Sequence, residues 1–437
     1  MRILIDLTPV IINKTGVHQT GLDLARALPK YFECYFKFGP HIFSLSQLQS
    51  WDQLTPPKKL KQQVQGFFFS HLRKKIDPET FPDDLLILDA DVLLLLDPLY
   101  ALFYPRSVLD RAVTMILDLT PITVPDWHES HICKRYQAAY LHLQASQSKL
   151  VSISQSTADD LWVNYGLGGS TVIPLYLREL PTTSTLLKQD NPFLLFVGSL
   201  EIRKNLLNII CAYGKSNAYQ KNISLYIVGG AAYRTEEIKA LGAKTPGVKF
   251  LGFVSDKELE QLYASCLGMV YVSQWEGFGF PLLEAMAYKV PCISSITGAS
   301  PEVGGDAVLY ANPYNTDEIA QKINQLIALS SEERQELEQK AFTRSHLFTK
   351  EIFLRKMHAS LVEKINENKS APAKRIASSI FSTGLVPAEA CSVNYKTLMR
   401  QKNAFSRTFI YLRTKLKTSR LVFFKERLLA RFFPAAR

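Results

Sequence analysis

Cysteine is scarce and scattered in this chain: six residues in 437, at positions 34, 133, 211, 266, 292 and 391, with no CxxC pair. That spacing argues against a disulfide-stapled scaffold or a thiolate metal cluster and fits single buried thiols in a reducing compartment. Long apolar runs are also missing. Leu85 to Leu96 is interrupted by Asp89 and Asp91, and it falls short of the ~20 apolar residues that a membrane span needs. The opening MRILIDLTPV lacks the basic segment and long apolar run of a signal peptide, so it reads as a first β-strand. The expected protein is cytoplasmic, soluble or at most peripheral on a membrane. No internal repeat and no long low-complexity tract is present.

Acidic residues are almost absent from one region. The formal charge is +11, yet from Lys369 onward 15 basic residues face 2 acidic ones, which leaves 36 basic and 38 acidic residues in positions 1–368. A near-neutral body with a basic tail suggests one localised anionic partner rather than nucleic acid contacted broadly. The tail, residues 405–437, interleaves Phe and Leu with Arg and Lys at loosely helical spacing, the composition of a helix lying on an anionic membrane surface. Docking on an acidic partner is the competing reading, and nucleic-acid binding is not expected.

What the chain does have is short apolar runs alternating with amphipathic stretches. Ile3–Leu7, Leu85–Leu88, Val92–Leu96, Val113–Leu117 and Leu150–Ile153 are strand candidates; GLDLARALPK reads as a helix. After a polar stretch the series restarts at Phe193 and continues with Leu225–Val228, Val248–Phe250, Met269–Val272 and Cys292–Ser294. Continuous apolar runs suit strands buried on both faces of a parallel sheet. Two such series predict two doubly wound, Rossmann-like α/β domains, at 1–180 and 190–342, facing a central cleft. Residues 368–404, rich in Ser, Ala, Lys and Pro, read as a linker to the basic tail.

The most informative stretch is Glu276-Gly-Phe-Gly-Phe-Pro-Leu-Leu-Glu284-Ala-Met-Ala. It follows a strand and should open a helix at Pro281, with Glu284 in the first turn. Gly277 and Gly279 let the backbone approach a ligand, and a helix start presents unpaired N–H groups and partial positive charge to a phosphate. Carboxylates beside a diphosphate would repel it, so Glu276 and Glu284 are better placed to accept hydrogen bonds from sugar hydroxyls. Upstream, Gly198-Ser-Leu-Glu-Ile-Arg203-Lys204-Asn205 puts two adjacent cations at a strand's carboxyl end, where they can neutralise a diphosphate.

These strings resemble the GT-B glycosyltransferases of family 4, the large retaining group. EGFGFPLLE looks like that family's E-x7-E motif, and Gly198 to Asn205 like its G-[ST]-x3-RKN pattern. The resemblance implies that Glu276 contacts the transferred sugar and Glu284 the ribose. It also implies that Arg203 and Lys204 hold the diphosphate, and that the backbone of Gly277, Phe278, Gly279, Phe280 and Leu283 lines sugar and phosphates. VKFLGFVSDKELEQLYASC, SSITGASPEVGGDAVLY and VSISQSTADDL extend the similarity over much of residues 1–366, and FTKEIFLRKMHASLVEKI resembles the family's terminal helix, which implies a helix at 343–367 that crosses back to the first domain. Gly16, in Thr15-Gly16-Val17-His18, stands where the family carries a glycine-rich loop over the donor phosphates. A hexose, mannose ahead of others, would move from a GDP- or UDP-linked donor to a saccharide or lipid-linked acceptor. No cofactor and no metal is required. Replacing Glu276 by Ala is expected to abolish transfer and leave the fold intact.

The sequence departs from the family where Leu117 precedes Asp118, a place often held by His; Asp118 remains an acceptor-side candidate. Lys289 and Val272 replace a frequent glycine and proline. Asp89-Ala-Asp91 resembles a metal-binding DxD, but it lies inside an apolar run and reads better as a turn between strands. His128 and His131 are too little for a metal pair and read as cleft lining or a solvated helix start; Trp127 could stack on a sugar or fill a core. A catalytically inactive partner subunit, or a nucleotide-sugar hydrolase or epimerase of the same fold, are the rival functions.

Overall fold

The computed structural model describes residues 1–12, 16–51, 54–73, 90–178, 191–232 and 235–370. The first sheet is built from β1 (Arg2–Asp6), β2 (Glu33–Phe38), β3 (His41–Ser44), β4 (Val92–Leu95), β5 (Ala112–Ile116), β6 (Lys149–Ser152) and β7 (Thr171–Val172). The second is built from β8 (Phe193–Val197), β9 (Ser224–Val228), β10 (Val248–Gly252), β11 (Gly268–Tyr271), β12 (Cys292–Ser295) and β13 (Leu309–Ala311). Among the described residues the strand orders are β3-β2-β1-β4-β5-β6-β7 and β10-β9-β8-β11-β12-β13. Every neighbouring pair is parallel except β2 with β3. Parallel strands need helices on both faces, which is why Val92–Leu95, Ala112–Ile116 and Phe193–Val197 are buried at every position. Strand order reverses between β1 and β4 and again between β8 and β11. At such points the loops leaving the strands' carboxyl ends diverge and open a crevice.

Strands form at every place expected within the described residues, with ends moved by one or two positions; the run Leu85–Leu88 lies outside them. Four further strands were not legible. The segment of β2, ECYFKF, mixes charged and apolar residues, and β3 joins it through a turn at Gly39, whose φ of 57° favours glycine. The two-residue β7 and three-residue β13 are too short to show a pattern.

The return to the first sheet differs from the single helix expected at 343–367. One helix ends at Ser345, residues 346–349 turn, and a second helix runs from Lys350 to Ser370. In the turn, Phe348 packs edge-on against Phe278 and its carbonyl accepts from the Leu177 amide at 2.8 Å. The helix Lys350–Ser370 buries Phe353, Met357, Leu361 and Ile365 at four-residue spacing and lies on β4 and β5. Each such side chain contributes about 1.5–3 kcal/mol of hydrophobic stabilisation. Buried Asp23, on the helix Gly16–Ala27, ties both crossings down: it accepts from Tyr176 Oη at 2.6 Å and pairs with Lys350 Nζ at 2.9 Å. Two more contacts join the sheets' layers. Glu302 accepts from the amides of Gln155 and Ser156, and the Trp275 indole donates to Asp160 at 3.1 Å.

The remainder of the expected linker and the tail, residues 371–437, lie outside the described residues. Among the described residues no helix is long and apolar enough to cross a membrane. Of the cysteines there, Cys34 and Cys292 are buried and Cys133 and Cys266 half-buried. Cys211 is exposed, against the expectation of uniformly buried thiols, because it lies on the outer face of the helix Leu206–Lys215.

Candidate functional site

The site is assembled at the β8/β11 reversal. After β8 the chain makes a turn at Ile202–Lys204 that ends on Asn205, a non-glycine residue with φ of 64°. Asn tolerates this left-handed conformation, and its side-chain amide compensates by donating to Val272 O at 2.9 Å and Pro313 O at 2.7 Å. The turn is thereby fixed to the end of β11, and the Gln274 amide donates to Arg203 O at 2.9 Å. The Gly198 amide extends the ladder to Val228 O at 2.9 Å. Its carbonyl sits where a Cβ on Gly229 would be, 1.9 Å away, so this glycine pair lets two loops pass backbone to backbone.

Glu276 and the two cations form one buried cluster. Lys204 Nζ donates to Glu276 Oε1 at 2.6 Å and to Tyr271 Oη at 3.0 Å, while Tyr271 Oη donates to the same carboxylate oxygen at 3.1 Å. Arg203 donates to Glu276 Oε2 at 2.9 Å and pairs with Glu201 at 2.9 Å. Glu276 is 6% exposed and Lys204 7%. Burial pushes the Glu276 carboxyl up, but the ammonium of Lys204 and the guanidinium of Arg203 outweigh it and hold the group at about 2. Burial pulls Lys204 down, and Glu276 offsets only part of that. A carboxylate has about four acceptor sites. Three are taken here, by Lys204, Arg203 and Tyr271, and one remains.

The glycines around Glu276 have distinct reasons. A Cβ on Gly277 would lie 2.0 Å from the Leu117 carbonyl, so glycine is what allows this loop to lie against the first sheet's β5 loop. Gly298, with φ of 60°, backs the Glu276 backbone: a Cβ there would lie 2.7 Å from Glu276 O. Gly279, with φ of 103°, is the N-cap of the helix Phe280–Ala287. Pro281 sits in that helix's first turn, as expected. Glu284 does not: it is one turn further in, because the helix begins at Phe280.

Three of the expected donor contacts are placed differently from a simple lining. Leu283 is fully buried, and its amide, like that of Leu282, donates to Gly279 O within the helix, so it has no donor left for a ligand. The Phe278 side chain points into the core against Phe280 and Phe348. Gly16, which starts the helix Gly16–Ala27, has its open face filled by the Phe280 ring, 2.4 Å from where a Cβ would be. What remains free is the backbone: among the described residues the amides of Gly277, Phe278, Gly279 and Phe280 make no hydrogen bond. Four consecutive unpaired amides at a helix start, beside Arg203 and Lys204, make an anion-binding cradle.

Glu284 has the opposite electrostatics to Glu276. It accepts from Tyr263 Oη at 3.2 Å and lies 4.0 Å from Arg178, and burial raises its pKa more than these partners lower it. The Arg178 guanidinium stacks over Phe280 at 4.8 Å, and its Nε is buried without a hydrogen-bond partner. Nothing near Arg178 in the sequence marked it, since Tyr263, Phe280 and Glu284 reach it only through the fold.

On the opposite wall, Asp118 follows β5. Its carboxylate accepts from the Thr120 amide at 3.0 Å and the Thr120 hydroxyl at 2.7 Å, and Tyr140 Oη donates to its carbonyl at 2.6 Å. Leu117 turns its side chain toward the core. His131 pairs with Glu129 at an exposed helix start, whereas half-buried His128 faces inward. Asp89 lies outside the described residues; Asp91 accepts from the Arg2 amide at 2.8 Å at the amino end of β4, the end opposite the crevice. Among the described residues no group of three His, Cys, Asp or Glu side chains is gathered as a metal site.

Residues 182–344 match the family model described as glycosyl transferases group 1. The chain is 32% identical over 241 residues to the O-antigen chain mannosyltransferase B of Escherichia coli, covering 51% of this chain and 63% of that one. It is 29% identical over 203 residues to the O-antigen chain mannosyltransferase RfbU of Salmonella typhimurium, covering 45% of this chain and 55% of that one. The chain thus spans less than two thirds of the length of these curated relatives. Among solved structures, the sucrose-phosphate synthase of Thermosynechococcus elongatus superposes with a TM-score of 0.59 at 16% identity, over 84% of this chain and all 100% of that one. The Anabaena protein HepE in complex with UDP and glucose gives a TM-score of 0.59 at 16% identity, over 83% of this chain and 99% of that one. Their fold is the two-sheet GT-B scaffold described above, and the second sheet and its helices, within residues 182–344, are the part of this chain that is similar to the group 1 glycosyl transferases.

Proposed function

We propose that this chain is a retaining glycosyltransferase that moves a hexose, mannose before others, from a GDP- or UDP-linked donor to a saccharide or lipid-linked acceptor in surface polysaccharide synthesis. The observation that carries this reading is the cradle of unpaired amides at Gly277–Phe280 beside the buried Arg203–Lys204–Glu276 cluster. Relatives named as O-antigen mannosyltransferases support the sugar and the setting.

In this reading the diphosphate lies on the four amides and Arg203. Arg203 has five N–H donors, and those not engaged by Glu276 and Glu201 can reach phosphate oxygens. As the bond to the sugar breaks, charge grows on the leaving diphosphate, and fixed cations in a water-poor crevice stabilise it strongly. They fill the role a divalent metal plays elsewhere, so the proposal includes no metal cofactor. Glu276, held ionised, offers its remaining acceptor site to a hydroxyl of the transferred sugar. Glu284 and Arg178 face the ribose. The acceptor enters along the Asp118 wall, and the basic tail, residues 405–437, brings the enzyme to the cytoplasmic face of an anionic membrane carrying lipid-linked acceptors.

The test is a thermal-shift panel of GDP-, UDP- and ADP-sugars and their nucleotides, followed by transfer assays with the stabilising donor, with and without EDTA. A ligand that binds only the folded state raises stability by mass action. Selective stabilisation by GDP and GDP-mannose, with transfer that survives EDTA, is expected. Donor turnover without any acceptor would point to a hydrolase instead. Absence of any shift in folded protein would leave an inactive partner subunit as the reading.

A further inference from the structure

On the β5 wall of the crevice a histidine is held in one orientation by a relay of side chains. His128 Nε2 lies 3.0 Å from Thr120 Oγ1, and the Thr120 hydroxyl donates its only proton to Asp118 Oδ1 at 2.7 Å. With that proton engaged, Thr120 Oγ1 can only accept from the histidine, so the ring carries its hydrogen on Nε2. Nδ1 is then a bare acceptor, and among the described residues it makes no hydrogen bond. The relay is itself anchored: the Thr120 and Asp118 backbone is fixed by the Thr120 amide bond to Asp118 and by Tyr140 Oη on the Asp118 carbonyl.

The position of this ring points to a ligand. Leu117 and Asp118 lie directly against Gly277, the residue after Glu276. Through Thr120 and Asp118 the ring is therefore tied to the loop that lies against Gly277, and the charges that bear on it are those of Asp118, Arg203 and Glu201. Burial, reinforced by Arg203, keeps the imidazole neutral and outweighs the pull of the two carboxylates. A neutral, oriented acceptor nitrogen on a wall opposite the donor cradle matches a hydroxyl donor on an incoming ligand, and does not match a phosphate, which offers no proton.

We propose that His128 is a hydroxyl-binding residue on the acceptor side, taking a hydrogen bond from the acceptor sugar on Nδ1. This rests on the transferase reading for the identity of the ligand as an acceptor sugar. Thr120 and Asp118 are positioning residues: they set the tautomer and the angle of the ring.

The test uses the full chain, GDP-mannose and methyl α-D-mannopyranoside as acceptor probe. Loss of one hydrogen bond to a neutral partner corresponds to roughly a 2- to 10-fold change. His128→Ala is expected to raise KM for the methyl mannoside by that factor and leave GDP affinity within twofold. His128→Asn, whose amide oxygen can accept, should restore most of it. In wild-type protein labelled with 15N-histidine, the signal lost in His128→Asn should show a bare Nδ1 and a protonated Nε2, and Nδ1 should move when methyl mannoside is added. An Nδ1–H tautomer, an unchanged KM in His128→Ala, or a loss of GDP affinity larger than the change in acceptor KM would each overturn the assignment. Protein that shows the Nδ1 response but no transfer would refute the transferase reading and support His128 as a sugar-binding residue.

Discussion

Replacing Glu276 by Gln removes one negative charge from a cluster in which two cations are buried beside it. Glu276 receives hydrogen bonds from Lys204, Arg203 and Tyr271, at 2.6, 2.9 and 3.1 Å. After the substitution Arg203 keeps Glu201, but Lys204, only 7% exposed, loses its hydrogen-bonded carboxylate partner. Removing one partner of a buried pair costs about 3–5 kcal/mol. The depression of the Glu276 pKa from 4.5 to about 2 leads to a similar figure, about 3 kcal/mol at 1.36 kcal/mol per pKa unit. For a folding unit of about 150–250 residues each kcal/mol moves Tm by about 2–4 °C, so a fall of about 6–12 °C is expected. The expectation that Glu276 could be replaced without touching the fold is therefore revised: the side chain belongs to the site and also neutralises its floor. A second effect follows from the same charge count. With Glu276 gone, a diphosphate in the proposed site would supply the negative charge that Lys204 has lost, so GDP should stabilise Glu276→Gln by more degrees than wild type. Differential scanning fluorimetry at pH 7, with and without GDP, measures both effects. A Tm within about 1 °C of wild type, with an unchanged GDP increment, would refute the reasoning.

Two other outcomes are expected. Gly277→Ala places a Cβ 2.0 Å from the Leu117 carbonyl and must push the two walls apart; transfer should fall on the order of 100-fold, the scale of a 1 Å misplacement, while GDP binding stays within a few-fold. The folded pKa of Glu276 lies below its unfolded value, so its contribution is complete above pH 4.5 and is lost as pH falls from 4.5 toward 2. The Tm difference between wild type and Glu276→Gln should be constant from pH 5 to 8 and shrink below 4.5; a difference that persists at pH 3 would show that the carboxylate's charge is not what stabilises.

The sheets were legible because a parallel strand buried on both faces has to be apolar throughout, and Val92–Leu95 or Phe193–Val197 are apolar whatever surrounds them. The stretch Glu276–Glu284 was legible for a related reason: Gly277, Gly279 and Pro281 solve a local backbone problem, a close approach followed by a helix start, within five residues. Strands such as β2 and β7 were not, because their partners rather than their own composition make them strands.

Sequence alone could place Glu276, Arg203 and Lys204 in one loop region each, but it assigned the acid to the sugar and the cations to the phosphates. Only the tertiary structure showed that they neutralise one another, across 72 and 73 residues of chain. The same holds for Asp23 with Tyr176 and Lys350, for Arg178 with Glu284, and for the inward turn of His128 against the outward turn of His131. Backbone conformation and apolar periodicity are short-range properties, set by a residue and its near neighbours. Ion pairing and burial depend on which loops the strand order brings together. In this chain that order reverses at β8 and β11, the one place in the second sheet where loops far apart in sequence must meet.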